Sequence, residues 1–188
     1  MIPHSAGGRP ERLVHVHQGE FRVSNHSHDV LTAVLGSCVA CCLYDPDIGV
    51  GGMNHFLLPT AGLQEGHASA NIRYGTHSME MLLNALFKLG ARKRCLQAKL
   101  FGGGKLEPAL GPIGSRNAAF AHRFLADEGI ACIAESLGGT FARRLRFEPT
   151  TGKAQQLMIP DIPAGQDFPP VPRPASDPGS GSITLFEE

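Results

Sequence analysis

Apolar and polar residues alternate through most of the first 60 positions, which is the pattern of half-buried β-strands. The alternation predicts one or two short strands within 13–23, interrupted at 18–20, and further strands at 29–35, 39–44 and 50–58. The last two are joined by Asp45-Pro46-Asp47-Ile48-Gly49, in which Asp, Pro and Gly favour a turn. The chain therefore begins with a series of strands that ends in a hairpin.

Helical periodicity appears twice in the second half of the chain. One helix is predicted at 78–89, with Thr76 or Ser78 as its cap, and the other at 115–128, ending at Gly129. Residues 59–72 are small and polar and are predicted to form a loop. Strands are predicted at 95–101, 130–135, 141–147 and 155–159. Two helices covering mixed strands, with a second layer of strands beneath, predict an α/β fold, a layered α-β sandwich.

Composition changes sharply near residue 160, because seven of the 14 prolines lie in the last 29 residues. So much proline cannot build a packed layer, and we expect 160–188 to be a disordered tail. Residues 1–12 are expected to be a flexible leader, and 13–159 one globular domain. The tail ends in an apolar segment at 183–186 that could pair with a sheet edge, although a loose terminus is expected.

The charge balance excludes several function classes. Seventeen basic and 17 acidic side chains cancel, so no global field draws the protein to nucleic acid or to an anionic membrane. No apolar segment resembles a signal peptide or a bilayer span, which predicts a cytoplasmic protein without membrane insertion. The five cysteines are expected to be free thiols.

Cys38 directly follows a Gly36-Ser37 bend and precedes the hairpin. If the turn centres near Asp47, His55 lies across from about residue 39, next to Cys38. A nearby imidazole can take the thiol proton, so this pair is a candidate nucleophile and base. Zinc and redox alternatives remain for the C-x-x-C-C cluster of Cys38, Cys41 and Cys42, although a second ligand pair and a helical context are lacking.

Several runs of residues together resemble the signature of the CheD family, the chemoreceptor glutamine deamidases of bacterial chemotaxis. They are Leu35-Gly36-Ser37-Cys38-Val39-Ala40, Gly51-Gly52-Met53-Asn54-His55-Phe56, Lys99-Leu100-Phe101-Gly102-Gly103-Gly104 and Ile113-Gly114-Ser115-Arg116-Asn117. The resemblance implies a fold similar to the catalytic domains of deamidating toxins. It also implies a Cys-His-Thr triad of Cys38, His55 and Thr32, in which the Thr32 hydroxyl holds the imidazole.

The resemblance further implies that the protein is a glutaminase acting on methyl-accepting chemotaxis receptors through a Cys38 thioester, with no cofactor or metal. Ser37, Gly102, Gly103 and Gly104 are expected to bind substrate or to supply oxyanion donors. A CheC-type phosphatase is an expected partner. The alternative is a regulator with little or no catalysis that binds such a phosphatase.

Overall fold

The computed structural model describes residues 10–58, 68–106, 112–160 and 183–186. Within these ranges the chain forms ten strands, two α-helices and one short 3-10 turn. They are β1 (Arg12–His15), β2 (Phe21–Ser24), β3 (Asp29–Leu35), β4 (Val39–Asp45), β5 (Val50–Phe56), α1 (Ala68–Lys88), the turn Lys93–Cys95, β6 (Gln97–Gly102), α2 (Ile113–Glu128), β7 (Ala131–Leu137), β8 (Ala142–Phe147), β9 (Ala154–Ile159) and β10 (Ile183–Phe186).

The strands form two sheets of five. The outer sheet has the order β1-β3-β8-β9-β10, and the central sheet has the order β2-β5-β4-β6-β7. Both sheets are mixed, because β1 runs parallel to β3 and β7 runs parallel to β6, while the other pairs are antiparallel. Helix α1 packs on β5 and β2, and α2 packs on β4, β6 and β7. The result is three layers, which confirms the predicted layered α-β sandwich.

Strand β4 lies at the centre of the molecule and is buried along its whole length. Val39, Cys41 and Leu43 belong to the core beneath the helices, whereas Ala40, Cys42 and Tyr44 belong to the core between the sheets. Successive side chains of a strand point to opposite faces, so one strand serves both cores. The hairpin pairs β4 with β5 in a register that places His55 opposite Ala40, one residue from the predicted partner.

Helix α1 is longer than its sequence pattern predicts. It begins at Ala68, so 68–72 are not part of a loop, and Thr76 and Ser78 lie inside the helix rather than capping it. Between residues 72 and 77 the buried position is Gly75, which contacts Phe120 and contributes no apolar side chain to the periodicity. The rest of the predicted loop, 59–67, lies outside the described residues. No helix in the described part of the chain is both long and apolar enough to cross a bilayer.

The end of the predicted tail is a strand rather than a loose terminus. Strand β10 pairs antiparallel with β9, and the Phe186 ring lies edge-on to Phe101 with centroids 5.2 Å apart. Lys99 Nζ also donates to the Phe186 carbonyl at 3.0 Å. The predicted flexible leader ends too late, because its last residue, Arg12, begins β1 and pairs with Asp29. The segments 1–9 and 161–182 lie outside the described residues, so their predicted disorder stays a prediction.

A buried carboxylate joins the two sheets at the start of β3. Arg12, on β1 of the outer sheet, donates through Nε and Nη2 to the Asp29 carboxylate at 2.7 and 2.6 Å. Ser24, on β2 of the central sheet, donates its hydroxyl to the same carboxylate at 2.6 Å. These bonds lower the pKa of Asp29 from 3.8 to about 2, and the bond from Arg12 has the largest effect. Burial acts in the opposite direction.

Replacing this charge should weaken the fold in a pH-dependent way. Asp29→Asn is expected to lower the free energy of unfolding at neutral pH by about 1 to 2 kcal/mol, a figure reduced for the exposure of Arg12. Because the folded-state pKa lies below the unfolded value, the carboxylate stabilises the protein fully above pH 3.8 and progressively less toward pH 2. Urea unfolding of both proteins at several pH values measures this. A deficit of equal size at every pH would contradict the assignment.

Candidate active site

The structure brings Cys38 and His55 together at one end of the central sheet. Cys38 ends the turn that carries the chain from β3 in the outer sheet to β4 in the central sheet, and His55 lies on the adjacent strand β5. Cys38 Sγ and His55 Nε2 are 2.9 Å apart. Both residues are largely shielded from water, with 7% and 6% of their surface exposed. This is hydrogen-bonding distance between a thiol and its candidate base.

The other imidazole nitrogen fixes the tautomer of His55. Nδ1 lies 3.0 Å from the carbonyl oxygen of Val16. A carbonyl can only accept a hydrogen bond, so Nδ1 carries a proton and donates it to Val16. In the neutral ring Nε2 is then the basic nitrogen, and it faces the Cys38 thiol. The geometry therefore makes His55 an acceptor for the thiol proton.

Burial favours the neutral forms of both groups. It raises the pKa of the Cys38 thiol, against hydrogen bonds from the backbone at Gly36 and Cys38 and against the positive charge of Arg143. Burial also lowers the pKa of His55, while the bond to Val16 opposes the change. Burial thus favours the uncharged pair, a thiol and a neutral imidazole, over the thiolate–imidazolium pair.

Thr32 lies one step away from this pair. Its hydroxyl donates to the Leu145 carbonyl at 2.8 Å, so the expected direct bond between this hydroxyl and the imidazole is replaced by the contact from Val16. The Thr32 carbonyl, however, accepts the Val16 N–H at 2.9 Å. Thr32 therefore anchors the backbone segment that orients His55.

Two glycine-containing loops hold the turn that bears Cys38. The first, 102–104, begins at the last residue of β6, and the second, 138–139, follows β7. Gly103 N–H donates to the Cys38 carbonyl and Gly104 N–H donates to the Gly36 carbonyl, both at 2.7 Å. These N–H groups are already occupied, which argues against the oxyanion role expected for them. Gly138 N–H donates to the Gly102 carbonyl at 2.9 Å, which connects the second loop to the first.

Backbone packs against backbone around these loops. Gly102 has a φ of +110°, and a Cβ there would lie 2.2 Å from the Cys38 carbonyl oxygen. Gly114, in the first turn of α2, would place a Cβ 2.3 Å from the Gly103 carbonyl oxygen. Neither position can accept a side chain without moving the backbone around the cysteine.

Asn117 is a supporting residue that the sequence patterns did not single out for a role. It is fully buried, its Oδ1 accepts the Leu58 N–H at 2.9 Å, and its Nδ2 donates to the Ser37 carbonyl at 2.7 Å. It thus ties the exit of β5 to the cysteine turn. A polar residue on the buried stripe of α2 was the available signal, since Ile113, Phe120 and Phe124 share that face.

In the described part of the chain, the side chains that could ligate a metal form a cluster away from Cys38 and His55. Ligand atoms of Asp45, Asp47 and Cys95 lie within 4.8 Å of one another, at the end of β4 far from Cys38. Asp45 already accepts the N–H groups of Asp47 and Arg92, and Asp47 pairs with Arg92 at 2.7 Å. In the C-x-x-C-C cluster, Cys41 faces the core opposite to Cys38 and Cys42, so the three thiols do not converge.

The family model and the curated relatives indicate one family. The family model described as CheD chemotactic sensory transduction matches residues 57–157. A probable chemoreceptor glutamine deamidase CheD of Cereibacter sphaeroides is 47% identical over 177 residues, covering 93% of this chain and 85% of that protein. Its counterpart of the same name in Caulobacter vibrioides is 49% identical over 180 residues, covering 94% and 96%. The crystal structure of Neisseria meningitidis protein NMB0706, family-model DUF152, aligns with a TM-score of 0.47 and 9% identity, covering 70% of this chain and 65% of that one.

The packing at Gly114 can be tested through the reactivity of Cys38. Gly114→Ala is expected to push Gly103 away and displace the cysteine turn, slowing alkylation of Cys38 by iodoacetamide by about tenfold. Peptide mapping by mass spectrometry measures the rate at Cys38, and circular dichroism checks the fold. Ser115→Ala is the matched control, because the Ser115 hydroxyl bonds to the Pro112 carbonyl away from the loop. Equal rates in the two variants would contradict the packing argument.

Proposed function

Because this chain belongs to the CheD family, we propose that it deamidates glutamine side chains of chemoreceptors to glutamate. It is a hydrolase of the side-chain amide. The observation that supports Cys38 and His55 as its catalytic pair is their 2.9 Å contact, combined with the Nδ1 proton that leaves Nε2 free to accept. The thioester mechanism below follows from that geometry.

In the first half-reaction the Cys38 thiol gives its proton to His55 Nε2. The sulfur attacks the carboxamide carbon of the substrate glutamine, and the carbonyl oxygen becomes an oxyanion. The imidazolium then returns the proton to the amide nitrogen, the carbon–nitrogen bond breaks, and ammonia leaves. The product on the enzyme is a thioester between Cys38 and the former glutamine side chain.

In the second half-reaction water replaces ammonia. His55 Nε2 accepts a proton from water, and the resulting hydroxide attacks the thioester carbon. The carbon–sulfur bond breaks, and the sulfur recovers the proton from the imidazolium. The receptor side chain leaves as a carboxylic acid, which loses its proton to solvent, so the product is glutamate with one additional negative charge.

The oxyanion requires N–H or O–H donors that are not already bonded to backbone carbonyls. Gly103 and Gly104 donate to the cysteine turn, so we assign the oxyanion to donors at the turn itself, the Cys38 N–H and the Ser37 hydroxyl. The Ser37 carbonyl is fixed by Asn117, which holds this turn in place. Gly102 contributes its close approach to Cys38 rather than a hydrogen bond to substrate.

Thr32 completes the proposed Cys-His-Thr triad through the backbone. Its carbonyl holds Val16, and the Val16 carbonyl in turn accepts the Nδ1 proton of His55. The Thr32 hydroxyl fixes the strand itself by bonding to Leu145. Thr32 is thus a positioning residue that acts through Val16.

The proposed surroundings of the enzyme follow the same family membership. Its substrates are the cytoplasmic helices of chemoreceptors, and the five free thiols agree with a reducing cytoplasm. A CheC-type phosphatase is a further proposed partner. The alternative of a regulator without catalysis is less favoured, because such a protein has no need of a buried cysteine and histidine in hydrogen-bonding contact.

Deamidation changes the mass of its substrate, which gives a direct test. Incubating a receptor cytoplasmic fragment with the protein should add about one dalton per converted glutamine, because an amide nitrogen is exchanged for oxygen. Cys38→Ala is expected to abolish this gain. Cys42→Ala, which changes a thiol facing the same core as Cys38, is expected to retain it. Full conversion by Cys38→Ala would refute the proposed mechanism.

If Thr32 positions His55, replacing it should change kcat but not KM. Thr32→Val removes the hydroxyl that bonds to the Leu145 carbonyl, which should lower the free energy of unfolding by about 1 kcal/mol. It should also lower kcat several-fold with little change in KM, because the strand whose Thr32 carbonyl holds Val16 loses its side-chain bond to Leu145. Thr32→Ser keeps the hydroxyl and is expected to restore most of kcat. If kcat for Thr32→Val equalled that of the unaltered protein, Thr32 would not belong to the triad.

A further inference from the structure

Arg143 is a buried cation that takes no part in the proposed deamidation steps. It is 1% exposed and lies on the inward face of β8 with Leu145 and Phe147, in line with the core between the sheets. Among the residues that the structure describes, its guanidinium forms no ion pair with a carboxylate. Removing a charge from water without an opposite charge is costly, so its retention calls for a compensating anion.

The hydrogen bonds of Arg143 place it beside the cysteine turn. Nη1 donates to the Ser136 carbonyl at 2.5 Å and to the Ser136 hydroxyl at 3.2 Å, and Nη2 donates to the Gly138 carbonyl. The Gly138 N–H in turn holds Gly102, which touches the Cys38 carbonyl. From the other direction, Arg143 pairs in register with Leu35, three residues before Cys38.

These acceptors do not require a charged donor. All three are neutral oxygens, to which neutral N–H or O–H donors also bond, at a lower desolvation cost. Nε of Arg143 has no hydrogen-bond partner among the described residues. The bonds therefore account for the position of the side chain but not for its charge.

The anion is the Cys38 thiolate, which forms when Cys38 gives up its proton. The positive charge of Arg143 lowers the pKa of Cys38, and the Cys38 thiolate raises the pKa of Arg143. Both effects oppose the effect of burial on the same groups. His55 becomes a cation only by taking the proton that Cys38 loses, whereas Arg143 carries its charge throughout.

We propose that Arg143 is a positioning residue whose buried positive charge stabilises the Cys38 thiolate while its Nη groups hold the 136–138 segment against the cysteine turn. The catalytic meaning of this thiolate rests on the proposed deamidation. The thiolate itself can be followed without any receptor substrate.

The test measures alkylation of Cys38 by iodoacetamide from pH 5 to pH 10, with peptide mass mapping to separate Cys38 from the other cysteines. Arg143→Gln keeps a donor but removes the charge, and should move the pH profile upward by about one to two units. Below the midpoint of the profile, its rate should fall by about 10- to 100-fold. Arg143→Lys keeps the charge and should remain close to the unaltered protein. Arg144→Gln, on the opposite face of β8, is the matched control and should leave the profile unchanged.

The two variants distinguish the effect of the Arg143 charge from the effect of its hydrogen bonds. If Arg143→Gln leaves the profile in place, or if Arg143→Lys is displaced as far as Arg143→Gln, the thiolate role is overturned. If Arg143→Gln does not fold, Arg143→Lys decides alone, since an unshifted profile supports the role and a shifted one overturns it. Receptor deamidation by the unaltered protein is measured in parallel. Its failure alongside the expected alkylation shifts would refute the proposed function and leave the role of Arg143 at the thiolate intact.

Discussion

The passage of the chain from one sheet to the other at Gly36–Cys38 is the constraint on which the site depends. A turn that changes sheets leaves its backbone groups outside both ladders, and buried backbone groups must find partners. Gly103, Gly104 and Asn117 supply them, by bonding to the carbonyls of Cys38, Gly36 and Ser37 in that order. The same bonds that satisfy the turn also fix the direction of the Cys38 side chain. One set of contacts thus satisfies the buried backbone groups of the turn and orients the Cys38 side chain toward His55.

Burial favours the uncharged form of Cys38, the proposed nucleophile. Burial alone would keep both Cys38 and His55 neutral, and the surrounding dipoles and charges offset only part of that effect. In the proposed mechanism, proton transfer is therefore coupled to substrate attack, when negative charge moves from sulfur toward the oxyanion. A neutral thiol is also less prone to oxidation than a thiolate, which suits a cysteine that waits for a macromolecular substrate.

The sequence made the strands, the hairpin and the Cys38–His55 pairing predictable, because each depends on local alternation and a recognisable turn. The start of α1 was missed because Gly75 is buried there without adding an apolar side chain. Val16 could not be found from its side chain, since its backbone carbonyl makes the contact with His55. Arg143 could not be identified as buried without knowing which face of β8 points inward. The expected bond from the Thr32 hydroxyl to His55 failed for a related reason, as strand pairing offered that hydroxyl the Leu145 carbonyl instead.

Strand β10 has a consequence for the colloidal behaviour of the protein. Without it, β9 would end the outer sheet and present unpaired N–H and C=O groups to other chains, the arrangement that promotes edge-to-edge aggregation. Pairing with Ile183–Phe186 occupies that edge from within the same molecule. Because β10 and β9 belong to the same chain, this protection of the edge does not depend on the protein concentration.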